Sequence, residues 1–156
     1  MRVMVRAIAI ALLVSPVIAA DHPDFRLWKA DELKKRDAAL STKVGADHSS
    51  RETLADFGDH RFRFLYRDAD GFPEQHDTIV DVGFVQSGEG TLQLGGTLID
   101  KKGTGVGEFV GSRLDGGSRH PLGPGDVIHI PATIPHAFLV PKGKHITYVL
   151  LKFPEQ

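Results

Sequence analysis

Histidine is the residue type in this sequence best suited to chemistry, and two histidines fall in residues 124–138, which read PGDVIHIPATIPHAF. His129 lies in a run of alternating aliphatic residues, and His136 directly follows Pro135. Because proline fixes its backbone φ angle, the turn before His136 is stiff and should give the imidazole a definite direction. Imidazole binds metals and titrates near neutral pH. The residues alone leave open whether His136 binds a metal or a backbone carbonyl group.

Composition narrows the possible chemistry. The chain contains no cysteine, so disulfides and thiolate metal sites are excluded, and any metal must be bound by histidine and carboxylate side chains. The 19 basic and 20 acidic residues give a net charge of −1, and no basic block stands out. We therefore expect no binding to nucleic acid or to an anionic membrane surface. A small-molecule ligand is the expected partner.

The first 20 residues have the pattern of a secretory signal peptide. Arg2 and Arg6 precede an apolar run, Ala7–Val14, and small residues lead into Asp21. Cleavage after residue 19 or 20 would leave about 136 residues, enough for one domain with a real core. The sequence thus predicts a periplasmic or secreted protein with no membrane contact after cleavage. A retained, uncleaved anchor is the alternative.

Short strands separated by glycine and proline turns dominate the chain after His60. Charged and aromatic residues alternate over residues 61–66, which is typical of a strand. Further strands are predicted at 78–85, 91–94, 97–99, 126–130, 136–140 and 146–153. The pattern predicts an all-β protein, an antiparallel sandwich or barrel.

The segment before these strands has a different character. Trp28, Leu33 and Leu40 lie among charged residues and good helix formers, which predicts one short amphipathic helix. Residues 41–50 are predicted to form a loop, and Ser49–Glu52 resembles a capping box that could begin a brief helix. We therefore divide the chain into a signal peptide (1–20), a helical and loop extension (21–58) and a barrel (59–156). Glycine-rich residues 101–124 fit no nucleotide-binding motif and are predicted to form a surface loop.

Residues Gly125, Pro131 and His136 resemble the second motif of the cupin superfamily. In that motif a glycine is followed at fixed intervals by a proline, a second glycine, a histidine and an asparagine. Thr133 stands where the second glycine is usual, and Val140 stands where the asparagine is usual. Both departures lie outside the ligand position, His136.

The first cupin motif has two histidines one residue apart, then a glutamate and a glycine. Glu74, His76, Asp81 and Gly88 have the same spacing here, with glutamate in place of the first histidine and aspartate in place of the glutamate. The resemblance covers residues 61–153. It implies an antiparallel double-stranded β-helix, also called a jelly-roll barrel, with a short N-terminal helix before it.

The resemblance also implies a divalent metal ion bound by His76, Asp81 and His136. Two imidazoles and one carboxylate suit Fe(II) or Mn(II) and leave positions open for substrate or oxygen. Glu74 could be a fourth ligand that favours these hard ions, or a residue that orients His76. Zn(II) and Ni(II) are also possible. The alternative is a metal-free pocket in which the histidines only form hydrogen bonds.

Four side chains are candidates for roles in catalysis or substrate binding. His129 or Glu74 could transfer protons, since alternation on the strand could aim His129 into the barrel. Arg63 could clamp a substrate carboxylate, and Phe138 could form an apolar pocket wall. A partly buried strand histidine, an arginine on an exposed charged face and a core phenylalanine are the simpler interpretations.

Two classes of function fit these predictions. The first is a small periplasmic metalloenzyme, a dioxygenase, isomerase or lyase, that acts on a small organic acid or sugar-like substrate. The second is a non-catalytic module that binds a small molecule or a metal. A homodimer formed through a barrel edge is a further possibility.

Overall fold

The structure is a computed structural model that describes residues 21–155. The predicted signal peptide, residues 1–20, lies outside the described residues. One helix, α1 (Ala30–Ser41), precedes the strands. The strands are β1 (Ser49–Asp56), β2 (Arg61–Arg67), β3 (Glu74–His76), β4 (Ile79–Gly88), β5 (Gly90–Leu94), β6 (Thr97–Ile99), β7 (Lys102–Gly105), β8 (Glu108–Val110), β9 (Arg113–Asp115), β10 (Ser118–Leu122), β11 (Val127–Ile130), β12 (His136–Leu139) and β13 (Ile146–Pro154).

Two antiparallel sheets form the body of the protein. The five-stranded sheet has the order β1-β2-β13-β4-β11, and the six-stranded sheet has the order β10-β5-β12-β3-β8-β7. Strands β6 and β9 form a separate antiparallel pair. Neighbours in each sheet are often distant in sequence, as expected for a jelly roll rather than a simple meander. The all-β jelly-roll prediction is confirmed.

The main core lies between the two sheets. Strand β13 shows the two-residue period that builds it, because Ile146, Tyr148 and Leu150 all point inward and are buried. Leu65 and Val85 join them from the same sheet, and the opposite sheet contributes Leu92, Leu122 and Phe138. This apolar packing holds the sheets face to face and so determines where inward-facing polar residues meet.

Helix α1 covers the outer face of the five-stranded sheet, which confirms the predicted short helix. Leu40 is buried against Phe64 and Val149. Arg36 fixes the helix further, since its guanidinium donates to Glu32 at 2.7 Å and to Glu52 of β1 at 2.8 Å. No helix within residues 21–155 has the length and apolar character needed to cross a membrane.

Two local predictions are wrong. Residues 49–56 form strand β1, paired with β2, and not a loop with a capped helix. Residues 101–124 contain four short strands, β7 to β10, and not one surface loop. Both segments are largely polar or glycine-rich, so backbone pairing with their neighbours and a few buried leucines, Leu114 and Leu122 among them, stabilise strands that show no continuous apolar pattern. The division at residue 58 stays a prediction, although β1 extends the five-stranded sheet into the segment before it.

Gly88 closes β4 in a conformation that only glycine adopts without strain. Its φ is +74°, and a β-carbon at this position would overlap the backbone carbonyl oxygen of His145. That carbonyl accepts a hydrogen bond from the amide of Glu89 at 2.8 Å, so it is not free to move away. The motif glycine is therefore required by close backbone packing.

We expect Gly88→Ala to lower the free energy of unfolding by about 3 kcal/mol, because strain at positive φ adds to the overlap with His145. Gly95→Ala is the matched control, since Gly95 has φ +78° and no described atom lies within 4 Å of the added β-carbon. The control should lose only about 1 kcal/mol. Urea denaturation measures both variants, and equal losses would contradict the role assigned to the His145 carbonyl.

Candidate metal centre

Three strands from both sheets bring the candidate ligands together. Glu74 and His76 lie two residues apart on β3 and so share one face, and His136 is the first residue of β12, directly opposite Glu74 in the antiparallel register. Asp81 lies on β4, in the facing sheet. The four side chains therefore meet between the sheets, and each offers one donor atom within 4.8 Å of the other three.

The donor atoms face one another closely. Nε2 of His76 lies 3.7 Å from Glu74 Oε2 and 3.5 Å from Asp81 Oδ2. Nε2 of His136 lies 3.6 Å from Glu74 Oε1 and 3.6 Å from Asp81 Oδ2. The side chains of His136 and Asp81 are 1% exposed. Two nitrogens and two carboxylates thus enclose one small buried volume.

This arrangement fits a metal ion. In a tetrahedral site with bonds of about 2.1 Å, neighbouring donor atoms are about 3.4 Å apart. The four nitrogen-to-oxygen distances, 3.5–3.7 Å, are slightly wider, and every pair of donor atoms lies within 4.8 Å. Nε2 of His136 is buried and has no hydrogen-bond partner among the described residues, although buried polar atoms normally have one. An ion between the four side chains would satisfy that nitrogen.

The ring of His136 is held in a suitable orientation. Its Nδ1 donates a hydrogen bond to the carbonyl oxygen of Ile134 at 3.0 Å, across Pro135. With the proton on Nδ1, the lone pair of the neutral ring lies on Nε2, which points into the cluster. The stiff turn predicted from the sequence thus orients the imidazole through a carbonyl group and directs Nε2 toward the candidate metal position.

Without a metal, the cluster is strongly coupled electrostatically. Burial alone would lower the pKa of His136, but Asp81 and Glu74 outweigh it and raise that pKa to about 9. Burial alone would raise the pKa of Glu74, but His136 and Lys152 outweigh it and lower that pKa to about 2. The same groups, with His76, hold the pKa of Asp81 well below its ordinary value. Both carboxylates are therefore ionised, as metal ligands must be.

Lys152 is the residue of this cluster that the sequence analysis missed. Its ammonium group donates to His76 Nε2 at 2.9 Å and to Asp81 Oδ2 at 3.0 Å. The signal was present in the two-residue period of β13, because the inward series Ile146, Tyr148, Leu150 continues to position 152. That signal can be used only when the inward face of β13 is known.

Comparisons with solved structures identify the architecture. A cupin-2 domain protein from Rhodospirillum rubrum matches with a TM-score of 0.51 and 15% identity, over 70% of this chain and 62% of that chain. The chain has the cupin fold. KdgF from Halomonas sp. matches with a TM-score of 0.50 and 20% identity, over 70% of this chain and 81% of that one. The DMSP lyase DddQ from Ruegeria pomeroyi DSS-3 matches with a TM-score of 0.50 and 19% identity, over 71% of this chain and 51% of that one.

No protein-family model matches the sequence, and no curated protein matches it. Likeness at these identities establishes the fold alone, and it extends to no ligand or reaction. The chain spans about half the length of the lyase.

Glu108 of the cupin barrel supports His76 from the other side. It lies on β8 opposite His76 in the register, and its Oε2 is 2.6 Å from His76 Nδ1. Nδ1 makes no well-aligned hydrogen bond among the described residues, so the contact is electrostatic. A negative charge beside this nitrogen favours the tautomer that carries its proton on Nδ1 and leaves the Nε2 lone pair free.

Two candidate residues from the sequence do not fit their predicted roles. His129 is exposed on β11, between the core residues Ile128 and Ile130, so it points out of the barrel and not toward the cluster. The predicted proton transfer by His129 is therefore wrong. Phe138 is buried and stacks on Tyr148, with ring centroids 4.5 Å apart. It packs the core, and this position does not support a ligand contact.

Arg63 lies on the inward face of β2, two residues before Leu65, and is half-buried. Burial and the neighbouring positive charges of Arg61 and Arg51 lower its pKa, while Glu74 and Glu108 oppose that change. The interpretation of Arg63 as an exposed arginine is therefore wrong. Contact with a substrate carboxylate stays a prediction.

A cavity of about 260 Å³ lies beside the cluster at one end of the barrel. Arg61, Glu108 and Lys152 line it, and the last two contact His76. None of the four donor residues lines this cavity or a larger one of about 810 Å³ around Tyr66, Lys142 and His145. The smaller cavity is the better candidate for a ligand because it borders residues that contact a donor.

Thr133 has an unusual backbone conformation, φ +68°, at the position where the cupin motif usually has glycine. Its amide donates to the carbonyl oxygen of His76 at 2.6 Å, which ties the turn before His136 to strand β3. A β-branched residue at positive φ is strained. The site therefore depends on a turn that costs some stability.

We expect Thr133→Gly to raise the free energy of unfolding by about 1 kcal/mol, because relief of strain exceeds the added flexibility of glycine in the unfolded chain. Thr133→Ala, which keeps a β-carbon at the same φ, serves as the control and should bring no such gain. Urea denaturation distinguishes them. A stability unchanged in Thr133→Gly would show that the turn is unstrained.

The pKa changes predict how the metal-free protein responds to pH. The pKa of His136 rises on folding from 6.5 to about 9. Its contribution to the free energy of unfolding is therefore complete below pH 6.5 and is lost as pH rises through about 9. Glu74 has a pKa of about 2 in the folded state, so its contribution to the free energy of unfolding is complete above pH 4.5 and is lost as pH falls toward 2. We expect the free energy of unfolding, measured in urea with a chelator present, to fall by 1 to roughly 3 kcal/mol between pH 6.5 and 9.5.

His136→Gln should abolish this alkaline loss, and His129→Gln, at an exposed site, should preserve it. A flat profile for the wild type above pH 6.5 would mean that the cluster does not hold His136 in its protonated form.

Proposed function

We propose that this cupin binds one divalent metal ion through Glu74, His76, Asp81 and His136 and acts on a small organic acid or sugar-like substrate. The observation that carries the proposal is the convergence of two imidazoles and two carboxylates on one buried volume. Two nitrogen and two oxygen donors favour Fe(II) or Mn(II), and Zn(II) or Ni(II) are also suitable. When bound, the ion would supply a Lewis acid that polarises a substrate oxygen.

The side chains around the donors have distinct tasks in this proposal. Asp81 and Glu74 supply the negative charge that offsets a divalent ion, and Glu108 keeps the ring of His76 in the tautomer that exposes Nε2. The turn at Ile134 does the same for His136. Of the two residues proposed from the sequence to transfer protons, only Glu74 lies in the cluster.

We favour an organic acid as the substrate class because Arg61, Arg63 and Lys152 lie at the open end of the barrel, although Asp56, Asp59 and Glu108 line the same cavity and Arg61 lies 3.9 Å from Asp56. Arg61 and Lys152 line the cavity of about 260 Å³, and they lie directly opposite each other on β2 and β13. Arg63 faces the same interior one inward position deeper. Guanidinium groups bind carboxylates in two-point contacts. The reaction class, whether dioxygenase, isomerase or lyase, does not follow from the fold.

A non-catalytic binding module is the second candidate, and Lys152 favours it. The ammonium group already contacts two of the four donor residues, and together with protonated His136 it balances the charges of Glu74 and Asp81. Donor carboxylates compensated in this way need no metal ion for charge balance, and the cluster could bind a small molecule through hydrogen bonds alone. The proposed periplasmic or secreted location rests on the pattern of residues 1–20, and a homodimer stays a prediction.

Metal content tests the proposal directly. Protein prepared without chelators and then loaded with Fe(II) under anaerobic conditions, or with Mn(II), should bind about one ion per chain, measured by elemental analysis after desalting. His136→Ala should reduce the bound metal at least tenfold, because it removes a buried ligand. His129→Ala is the matched control, since it removes an exposed histidine from the same barrel. Equal, sub-stoichiometric metal in all three proteins would refute the metal site.

Turnover then separates enzyme from binder. The metal-loaded protein would be incubated with a panel of small hydroxy, keto and unsaturated acids and monitored by oxygen uptake and by NMR of the products. Consumption of an acid by the wild type, lost in His136→Ala, supports the enzyme. Thermal stabilisation by an acid that is never consumed supports the binding module.

A further inference from the structure

We infer that Lys152 is a built-in competitor for the metal ion, so that an ion binds the cluster only when the lysine ammonium group leaves His76 and Asp81. The inference rests on the proposed metal binding and goes beyond it, because it assigns control of the affinity to a residue outside the donor set. Three observations support it: the atoms that Lys152 contacts, its charge, and the space into which it can move.

The first observation is that Lys152 uses the same atoms that an ion would need. Its Nζ lies 2.9 Å from Nε2 of His76, and Glu108 lies against the other ring nitrogen. The Nε2 lone pair can accept a hydrogen bond from the ammonium group or bind a metal, but not both. Nζ also lies 3.0 Å from each carboxylate oxygen of Asp81. Lysine and metal therefore exclude each other at two of the four donor residues.

The second observation concerns charge. The ammonium group is held in a mostly buried position, with the Lys152 side chain 12% exposed. A divalent cation placed beside it would experience repulsion that water screens poorly in the barrel interior. Removal of this charge should therefore strengthen metal binding even if the geometry of the donors does not change.

The third observation is that the structure provides somewhere for the lysine to go. The cavity of about 260 Å³ begins at Lys152 and is lined by the acidic residues Asp56, Asp59 and Glu108. A lysine side chain has four flexible methylene groups and can reorient its charge over several ångströms. Movement into this cavity frees His76 and Asp81 and leaves the ammonium group beside the path by which a ligand reaches the ion.

The test compares Mn(II) affinity, measured by isothermal titration calorimetry and by electron paramagnetic resonance of the free ion, in the wild type and in Lys152→Met. We expect the variant to bind Mn(II) about 10-fold to 100-fold more tightly. Lys152→Gln keeps a polar head group without the charge and should also bind Mn(II) more tightly. If the methionine variant does not fold, the affinity of the glutamine variant tests the inference.

Lys144→Met is the matched control. Lys144 forms an ion pair with Glu89 at 2.9 Å on the surface, away from the donors, and its loss changes the total charge of the chain by the same amount. Its Mn(II) affinity should equal that of the wild type. A second control, Lys152→Met combined with His136→Ala, should lose the gain, which shows that the tighter binding uses the four donors.

The outcomes separate this inference from the proposed function. Tighter binding in Lys152→Met supports both if the wild type also binds Mn(II), and it supports the inference alone if the wild type binds none. Equal or weaker binding in Lys152→Met, with a wild type that binds Mn(II), overturns the inference and leaves the metal site intact. If neither protein binds Mn(II), both are overturned.

Discussion

The placement of two ionised carboxylates between the sheets is the constraint on which the site depends. The side chain of Asp81 is 1% exposed and that of Glu74 is 28% exposed, and an unpaired charge at either position would be costly. The imidazoles of His76 and His136 and the ammonium group of Lys152 provide the compensation. These partners lie on strands of both sheets. The strand register that pairs the charges is therefore also the register that packs the core, and a change in register would disrupt both.

The barrel interior is divided along its axis into an apolar part and a polar part. Along the inward face of β13, Ile146, Tyr148 and Leu150 pack the core, and the next inward residue is Lys152. Strand β2 runs antiparallel beside it and changes in the same direction, from Leu65 through Arg63 to Arg61 at the open end. The apolar part fixes the distance between the sheets. At that distance, the donor atoms in the polar part are spaced so that they could surround one metal ion. The candidate metal centre therefore lies near solvent at the open end of the barrel, and the apolar core remains continuous.

The sequence carried most of the fold and much of the site. Alternation and turns predicted the barrel, and the resemblance to the two cupin motifs selected the four side chains that converge. Strand β1 and the strands within residues 101–124 were missed because they carry few apolar residues and no clear apolar alternation, and backbone pairing with neighbouring strands holds them in place. The orientation of His129 was also open to the sequence, since a two-residue period gives two faces but does not say which one is the interior. Lys152 was missed for the same reason. The burial of the neighbouring isoleucines and leucines in the core shows which way the side chains of His129 and Lys152 point.

The fold and the donor set do not by themselves determine whether an ion is bound. With the lysine in place and His136 protonated, two positive charges meet the negative charges of Glu74 and Asp81, so the donor carboxylates are compensated without a cation. Glu108 adds a further negative charge beside His76. A divalent ion bound by neutral histidines would replace that compensation, and the displaced lysine, still nearby, would offset Glu108. The same side chains thus support a metal-free state and a metal-bound state, and the balance between them is set by the charges around the donors rather than by the donors alone.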